Sequence, residues 1–510
     1  MINAAYEIER LLKFGCRKNM ISQWDVIPTR NALMDLLKIE TPYEKEVEDL
    51  GDETPVNILK NILDYAYEAG ILEDNTITQR DLMDARIMGL LLPRQSEINR
   101  NFYEKMNSGK VEEATEEFYE LCRSSNYIMT ERIAKNQKWY TETEYGDLEI
   151  TINLSKPEKD PKEIANAKHV KQASYPKCLL CVENIGYAGR LNHPARQNLR
   201  AIPLTLAEEQ WHFQYSPYLY YNEHCIVFKG KHDPMKLTEK TLERLTDFVD
   251  FLPHYFIGSN ADLPIVGGSI LTHDHYQGGR HKFPMEMAEI EKEFTKHKFE
   301  KVNIGIVKWP MSVIRLSSCD KKKLVEAAMY IFNSWKNYSD GENHILAFTG
   351  DTLHNTVTPI VRRRKAAYEI DLVLRNNRTT EQYPDGIFHP HSKLHHIKKE
   401  NIGLIEVMGL AVLPGRLDRE LMKIADILSG KVKYDRSFIE QDSDLSKHLP
   451  WIEKMVKENK DELTIEEAEK LLKKEVGIIF SKVLEDAGVF KRDTKGKLGF
   501  ERFLASIDIL

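Results

Sequence analysis

Gly267-Gly268-Ser269-Ile270-Leu271-Thr272-His273-Asp274-His275-Tyr276-Gln277-Gly278-Gly279 sets two histidines and a glutamine at alternate positions between two pairs of glycines. Side chains two apart in an extended segment point the same way, so His273, His275 and Gln277 are expected to share one face. Gly267 and Gly268 on one side, and Gly278 and Gly279 on the other, let a backbone or a phosphate come close. Such a face suits nucleophilic or metal-assisted phosphate chemistry. A lone His-x-His is more often surface decoration or a buried hydrogen-bonded pair. Here, however, all but one of the 17 histidines fall between His169 and His396. Titratable side chains gather where chemistry is done, which marks the central part of the chain as the expected catalytic body.

The 510 residues exceed the size at which one hydrophobic core stops growing, so two or three structural units are expected. A hydrophobic share of 42% and a charged share of 30% describe an ordinary globular protein. A net charge of −7 gives no reason to expect nucleic acid as the partner. The sequence holds no apolar run near the roughly 20 residues of a membrane helix and no signal-peptide core at Met1 to Glu9, so a cytoplasmic protein without membrane contact is expected. Six cysteines are too few for a disulfide scaffold.

Apolar positions at three-to-four spacing (Ile8, Leu11 and Leu12; Leu33, Leu36 and Leu37; Ile58, Ile62, Tyr65 and Ala66) predict helices from Asn3 to about Asn136. Alternation at Leu148, Ile150, Ile152 and Leu154 predicts a strand, and Lys156 to Lys162, with two prolines, a linker. Short β-like runs follow at Cys225 to Phe228, Val302 to Val307, His344 to Phe348 and Tyr368 to Leu374, among helices such as Glu239 to Phe251. Beyond about Leu428 the pattern turns helical and charged, with helices expected at Ile465 to Val476 and Phe500 to Ile509. The expected class is α+β, antiparallel sheets with helices packed on them. The expected organisation is a helical N-terminal domain at 1–155, a catalytic body at 165–430 with halves at about 165–300 and 301–430, and a helical extension at 431–510.

Cys178-Leu179-Leu180-Cys181 has the spacing of a metal knuckle, but supplies only two of the four ligands a structural zinc needs. A redox pair and two packed thiols are the competing readings. His232, just past the Cys225 strand, and His273 are the candidates for the missing ligands. His275 is the candidate nucleophile: one imidazole nitrogen can attack phosphorus if the other donates a hydrogen bond, for instance to a backbone carbonyl. Gln277 can donate amide hydrogens to a phosphoryl oxygen without adding charge. His281 has no assigned role. Two arginine groups could serve phosphates: Arg190, Arg196 and Arg200, and Arg362 to Lys365, of which at most two lie on one side of a strand. His389, His391, His395 and His396 form a second cluster, readable as a ligand site or as a solvent-facing loop.

With these residues in place, the chain resembles the galactose-1-phosphate uridylyltransferases of the histidine-triad superfamily. That family carries its nucleophile at the second histidine of a His-x-His-x-Gln segment, preceded by a C-x-x-C; the match is strongest from about Lys177 to Gln277 and weaker at Pro359 to Leu374 and Gly403 to Leu417. Asp274 stands where the best-studied branch has proline, the helical N-terminal region is extra, and only His354 lies near a second metal pair. These departures resemble the longer bacterial branch, class II. The resemblance implies a histidine-triad-like antiparallel body of two related halves. It implies a ping-pong transfer of UMP from UDP-glucose to galactose 1-phosphate through a uridylyl-histidine at His275, giving UDP-galactose and glucose 1-phosphate. It also implies Gln277 on the phosphoryl oxygens, Asn260 on a phosphate, a structural zinc at Cys178, Cys181, His232 and His273, no redox cofactor, and a homodimer. Gly267, Gly268, Arg196 and Arg200 complete the expected substrate contacts. A nucleotide-sugar hydrolase or phosphorylase of the same superfamily is the nearer rival, and a zinc-stabilised binding module the more distant one.

Overall fold

A computed structural model describes residues 2–48, 51, 54–155, 174–268, 270–295, 298–459 and 463–510; the expected linker at Lys156 to Lys162 lies outside the described residues. The chain divides into two compact units, the first made of Met1–Lys135, Ser155–Pro234 and Thr272–His275, the second of Asn136–Leu154, Met235–Leu271 and Tyr276–Leu510.

In the first unit, helices α1 (Ala4–Arg17), α2 (Val26–Leu37), α3 (Val56–Glu68), α4 (Ile77–Leu91), α5 (Gln95–Asn107), α6 (Val111–Ser124) and α7 (Thr130–Ile133) occupy the region read as helical. The apolar stripes of α1 to α4 meet in one cluster containing Ile8, Leu11, Leu12, Leu33, Leu37, Ile58 and Ile62, residues whose periodicity predicted the helices. Strands β1 (Gln137–Thr143) and β2 (Gly146–Asn153) follow in sequence and belong to the second unit. The first unit resumes with the antiparallel meander β3 (Ile202–Leu206), β4 (Glu209–Tyr215) and β5 (Cys225–Lys229). Helices α5 and α6 close over it: Phe102 and Phe118 pack on Phe213, and the Tyr215 hydroxyl donates to the carbonyl of Thr115.

The second unit continues with α8 (Glu239–Phe251), β6 (Phe256–Gly258) and β7 (His275–Gly279), which starts at the last residue of the first unit. Then come α9 (Pro284–Met287), β8 (Ile290–Phe294), β9 (Asn303–Val307), β10 (Val313–Ser318), α10 (Lys321–Lys336) and the long hairpin β11 (Asn355–Arg364) and β12 (Ala367–Asn376). These strands run in the order β7-β6-β11-β12-β10-β9-β8, and every pair is antiparallel. After α11 (Leu404–Val407), strand β13 (Leu410–Pro414) joins β2 in parallel, making a separate three-stranded sheet β1-β2-β13. The tail carries α12 (Arg416–Leu428), α13 (Leu449–Glu458), α14 (Ile465–Ala487) and α15 (Thr494–Ser506).

The class is therefore α+β, with large antiparallel sheets and helical N-terminal and C-terminal regions. Among the described residues no helix is long and apolar enough to cross a membrane. Three local readings change. The strand expected at His344 to Phe348 is mostly irregular chain that follows a turn: Asp340 accepts from Asn343, His344 is left-handed at φ 60°, and only Phe348 and Thr349 pair as a strand. The helix expected to end at Val476 runs on to Ala487, through Gly477, whose missing side chain leaves room for Thr141 of β1. The last helix starts earlier than Phe500, at Thr494, where the Asp493 carboxylate accepts from the Gly496 amide.

Candidate active site

Lys229, at the end of β5, fixes the segment that carries both histidines. Its amide donates to the carbonyl of Asp274 at 3.0 Å, its carbonyl accepts from His273 Nε2 at 2.8 Å, and the Asp274 amide donates to the carbonyl of Asp233 at 2.7 Å. Thr272 to His275 is thus pinned before β7 begins. The single extended face expected for His273, His275 and Gln277 gives way to a division. Only His275 and Gln277 alternate within β7, while the His273 ring turns toward the cysteines.

There the four expected ligands converge. Cys178 Sγ lies 3.2 Å from His273 Nδ1 and 3.5 Å from Cys181 Sγ; Cys181 Sγ lies 3.1 Å from His232 Nδ1 and 3.8 Å from His273 Nδ1. All four ligand atoms fall within 4.8 Å of one another, the only such group of His, Cys, Asp and Glu among the described residues. A zinc tetrahedron with metal–ligand bonds of about 2.0–2.3 Å has edges of roughly 3.3–3.8 Å, and the observed spacings bracket that range. The donor set fits zinc. With Nε2–H of His273 given to the Lys229 carbonyl, its Nδ1 lone pair faces the sulfurs, the outer hydrogen bond that orients a metal-binding histidine. Burial pushes the Cys178 thiol up to about 11.

Sequence reading missed Asn184 as the knuckle's brace. Its amide donates to the carbonyls of both Cys178 and Cys181 at 2.8 Å, and its oxygen meets His193 Nε2 at 2.7 Å. The signal was present, since an amide three residues past the second cysteine can fold back on the turn. Asn184 is buried, so both of its ends need partners.

His275 is buried, and its Nδ1 lies 2.9 Å from the carbonyl oxygen of His273. Donation to that carbonyl puts the proton on Nδ1 and the lone pair on Nε2. Burial drives its pKa down to about 4, with the His273 carbonyl opposing that shift and the His273 ring adding to it, so the imidazole is neutral at physiological pH. The residue that feeds the cysteine cluster through its ring therefore holds the nucleophile candidate through its backbone. Gln277 sits half-buried in β7 opposite Gly258.

In the second unit, Asn260 is buried, and its Oδ1 accepts from the Leu404 amide at 2.9 Å. Gly268 packs closely on it, since a Cβ there would lie 2.7 Å from Asn260 Nδ2; a Cβ on Gly267 would lie 2.6 Å from the carbonyl oxygens of Ala261 and Leu263. The structure thus brings these three expected substrate contacts together. Arg196 and Arg200 lie in the first unit. The Arg196 guanidinium lies 5.6 Å over the Tyr127 ring and donates to the carbonyl of Ala195. Arg200 donates to the carbonyls of Pro93, Gln197 and Leu199.

The other arginine group serves the fold. Arg362 bonds Asp371 and Glu369, Arg363 bonds Asp250, and Arg364 bonds Glu369, so each arginine of Arg362 to Arg364 has a carboxylate. The β11–β12 register puts Arg362 opposite Glu369. The second histidine cluster is likewise dispersed: His389 meets Asn401, His391 meets Asp486, His395 meets the carbonyl of Pro390, and His396 meets His448.

Residues 20–234 match the family described as galactose-1-phosphate uridyl transferase, N-terminal domain, and residues 248–433 match its C-terminal domain. The chain belongs to the galactose-1-phosphate uridyl transferase family. It is 61% identical over 98% of its length to the galactose-1-phosphate uridylyltransferase of Caldanaerobacter subterraneus subsp. tengcongensis, of which 98% is covered. The Halalkalibacterium halodurans protein of the same name is 54% identical, with 99% of each chain covered. The Bacillus subtilis one is 51% identical over 98% of this chain and 96% of its own. The tail beyond residue 433 therefore has counterparts in these relatives although neither domain match reaches it. Membership makes the protein a nucleotidyltransferase. Cys178, Cys181 and His232 fall in the N-terminal-domain match, and His273, His275 and Gln277 in the C-terminal-domain match.

Proposed function

We propose that this uridylyltransferase works by ping-pong transfer with His275 as the nucleophile. Its Nε2 attacks the α-phosphorus of UDP-glucose; the bond from that phosphorus to the bridging oxygen breaks, and glucose 1-phosphate leaves with the electron pair. The uridylyl group then sits on Nε2, and the positive charge gained by the ring is held by the Nδ1–H bond to the His273 carbonyl. A phosphate oxygen of galactose 1-phosphate attacks the same phosphorus, UDP-galactose departs, and the imidazole is neutral again. UDP-galactose and glucose 1-phosphate are the substrates in reverse. The observation that carries this reading is the 2.9 Å contact between His275 Nδ1 and the His273 carbonyl, which leaves the lone pair on the other nitrogen.

In this reading Gln277 donates its amide hydrogens to the phosphoryl oxygens, where a neutral donor stabilises developing charge without trapping the intermediate. Asn260, Gly267 and Gly268 hold phosphate, and Arg196 and Arg200 supply positive potential. Cys178, Cys181, His232 and His273 hold a structural zinc, whose contribution is to fix the loop before β7. The catalytic body is 165–430, the helical regions 1–155 and 431–510 are its flanks, and the enzyme works as a cytoplasmic homodimer.

Label exchange between glucose 1-phosphate and UDP-glucose, with galactose 1-phosphate left out, tests the mechanism. A covalent two-step route exchanges label at a rate comparable to turnover. Exchange that appears only when galactose 1-phosphate is added means direct transfer.

A further inference from the structure

His281 follows β7 by two residues and has no part in the chemistry above. Its Nε2 meets both carboxylate oxygens of Glu149, at 2.8 and 3.1 Å. Its ring lies edge-on to Phe283, with centroids 4.6 Å apart. Glu149 projects from β2 directly opposite Tyr140 of β1. The alternate positions of this hairpin serve the fold: Trp139 donates its indole N–H to the carbonyl of Lys473 in α14, and Thr141 is buried where Gly477 makes room. The face bearing Tyr140 and Glu149 is left open.

That open face is the wall of a cleft of about 310 Å³ within the second unit, lined by Tyr140, Tyr145, Asp147, Glu149, His281 and Lys282 and rimmed by Met287. Its volume lies at the lower end of the range of small-ligand sites, roughly 300–1,000 Å³, and suits one ring rather than a nucleotide. The floor is polar and held: the carboxylate and imidazole are only 13% and 20% exposed. The rim is apolar and open, with Tyr140 68% and Met287 67% exposed. Large apolar side chains left so far in water beside a fixed polar dyad mark a contact surface more than a packing one. The Tyr140 hydroxyl, like any phenol, is protonated at neutral pH, and the Glu149 charge and partial burial hold it above its usual pKa.

The charges choose the ligand class. Two carboxylates, Asp147 and Glu149, face one lysine and one histidine. The two carboxylates disfavour an anion, while Lys282 offsets one of them and His281 Nε2 meets both oxygens of the other, so little bare charge is left for a cation. A neutral polyol keeps what the cleft offers: an aromatic face for the C–H side of a ring, and a carboxylate with lone pairs left to accept hydroxyl hydrogens beyond the one imidazole N–H it already binds.

We propose that this cleft binds one neutral pyranose, its ring face on Tyr140 and its hydroxyls on Glu149, at a site separate from the uridylyl-transfer chemistry. Binding is non-covalent and independent of His275.

Isothermal titration and saturation-transfer NMR with D-galactose and D-glucose, on the whole protein with excess glucose 1-phosphate present to fill the phosphate-binding site, test this. The expected result is saturable binding of at least one of the two sugars, one per chain, weakened about tenfold or more by Tyr140→Ala and by Glu149→Gln. Uridylyl transfer stays at the wild-type rate in Tyr140→Ala. Because Tyr140 is exposed, that variant should also unfold at the wild-type temperature, so a loss of binding reads the cleft and not the fold. Absence of saturable binding of either sugar to the wild type, or unchanged binding in both variants, overturns the proposal and leaves the Glu149–His281 contact as a tie between β2 and the segment that follows β7. Loss of binding in His275→Gly would also overturn it, by tracing the sugar to the transfer site.

Discussion

Asp84 gives a quantitative test of how far burial governs charge in the helical region. It lies in α4, buried, with Oδ2 accepting from Asn126 Nδ2 at 2.8 Å and Oδ1 without a partner. Burial raises its pKa from 3.8 to about 7, against the opposing Asn126 bond and with the Asp81 charge adding to the rise. The unfolded chain releases this proton near pH 4, whereas the folded chain keeps it to about pH 7. The folded state therefore binds the extra proton across that window, and stability falls as pH rises through it. A difference of about three pKa units at about 1.4 kcal/mol each amounts to about 4 kcal/mol, absent at pH 4 and complete at pH 8. Asp84→Asn removes the titration and keeps the shape: its oxygen accepts from Asn126, and its amide stands where the acid proton stood. Native-state hydrogen exchange of the α4 amides, compared between wild type and Asp84→Asn at matched pH, reads the local opening free energy directly. The variant should gain on the wild type by about 4 kcal/mol between pH 4 and 8, most of it between pH 5 and 7. A gap that does not change with pH, or that closes as pH rises, refutes the reasoning.

Three further outcomes follow from the site and its supports. Cys181→Ser should lower bound zinc from about one per chain to near zero by mass spectrometry under native conditions, and turnover should fall with it because the His273 loop loses its anchor. Gly268→Ala should cut kcat/KM about tenfold or more with little change in melting temperature, since the added methyl displaces the Asn260 amide without entering the main core. Asp371→Asn should destabilise by about 3–5 kcal/mol in urea titration, because it strips the shared carboxylate from buried Arg315 and Arg362.

The helices were legible because their cause is local. Helix α8 was read at Glu239 to Phe251 and is found there, bounded by Thr238 at its start and Leu252 at its end. The cysteine and histidine set could be proposed from spacing because metal ligands are few in kind. Which way His273 turns was not legible, since its ring is oriented by a carbonyl 44 residues earlier in the chain. Arg362 to Arg364 misled because a basic run by itself does not reveal its partners. The two residues of the turn, Lys365 and Ala366, set the hairpin register, and counting across it would have placed Glu369 against Arg362. His344 to Phe348 looked like a strand by apolar content, but Asp340 four residues earlier captures Asn343 and folds the chain back. In each miss a tertiary or side-chain-to-backbone bond overrode the local pattern.

The proposed two-step transfer requires a covalent bond at His275. Intact mass of the protein mixed with UDP-glucose alone, quenched and kept out of acid, measures it directly. The wild type should gain one uridylyl mass, mapped by peptide digestion to His275, lose it in acid and lose it on addition of galactose 1-phosphate, while folded His275→Gly gains nothing. An unmodified wild type that still turns over, or an adduct on His273 or any other residue, contradicts the account.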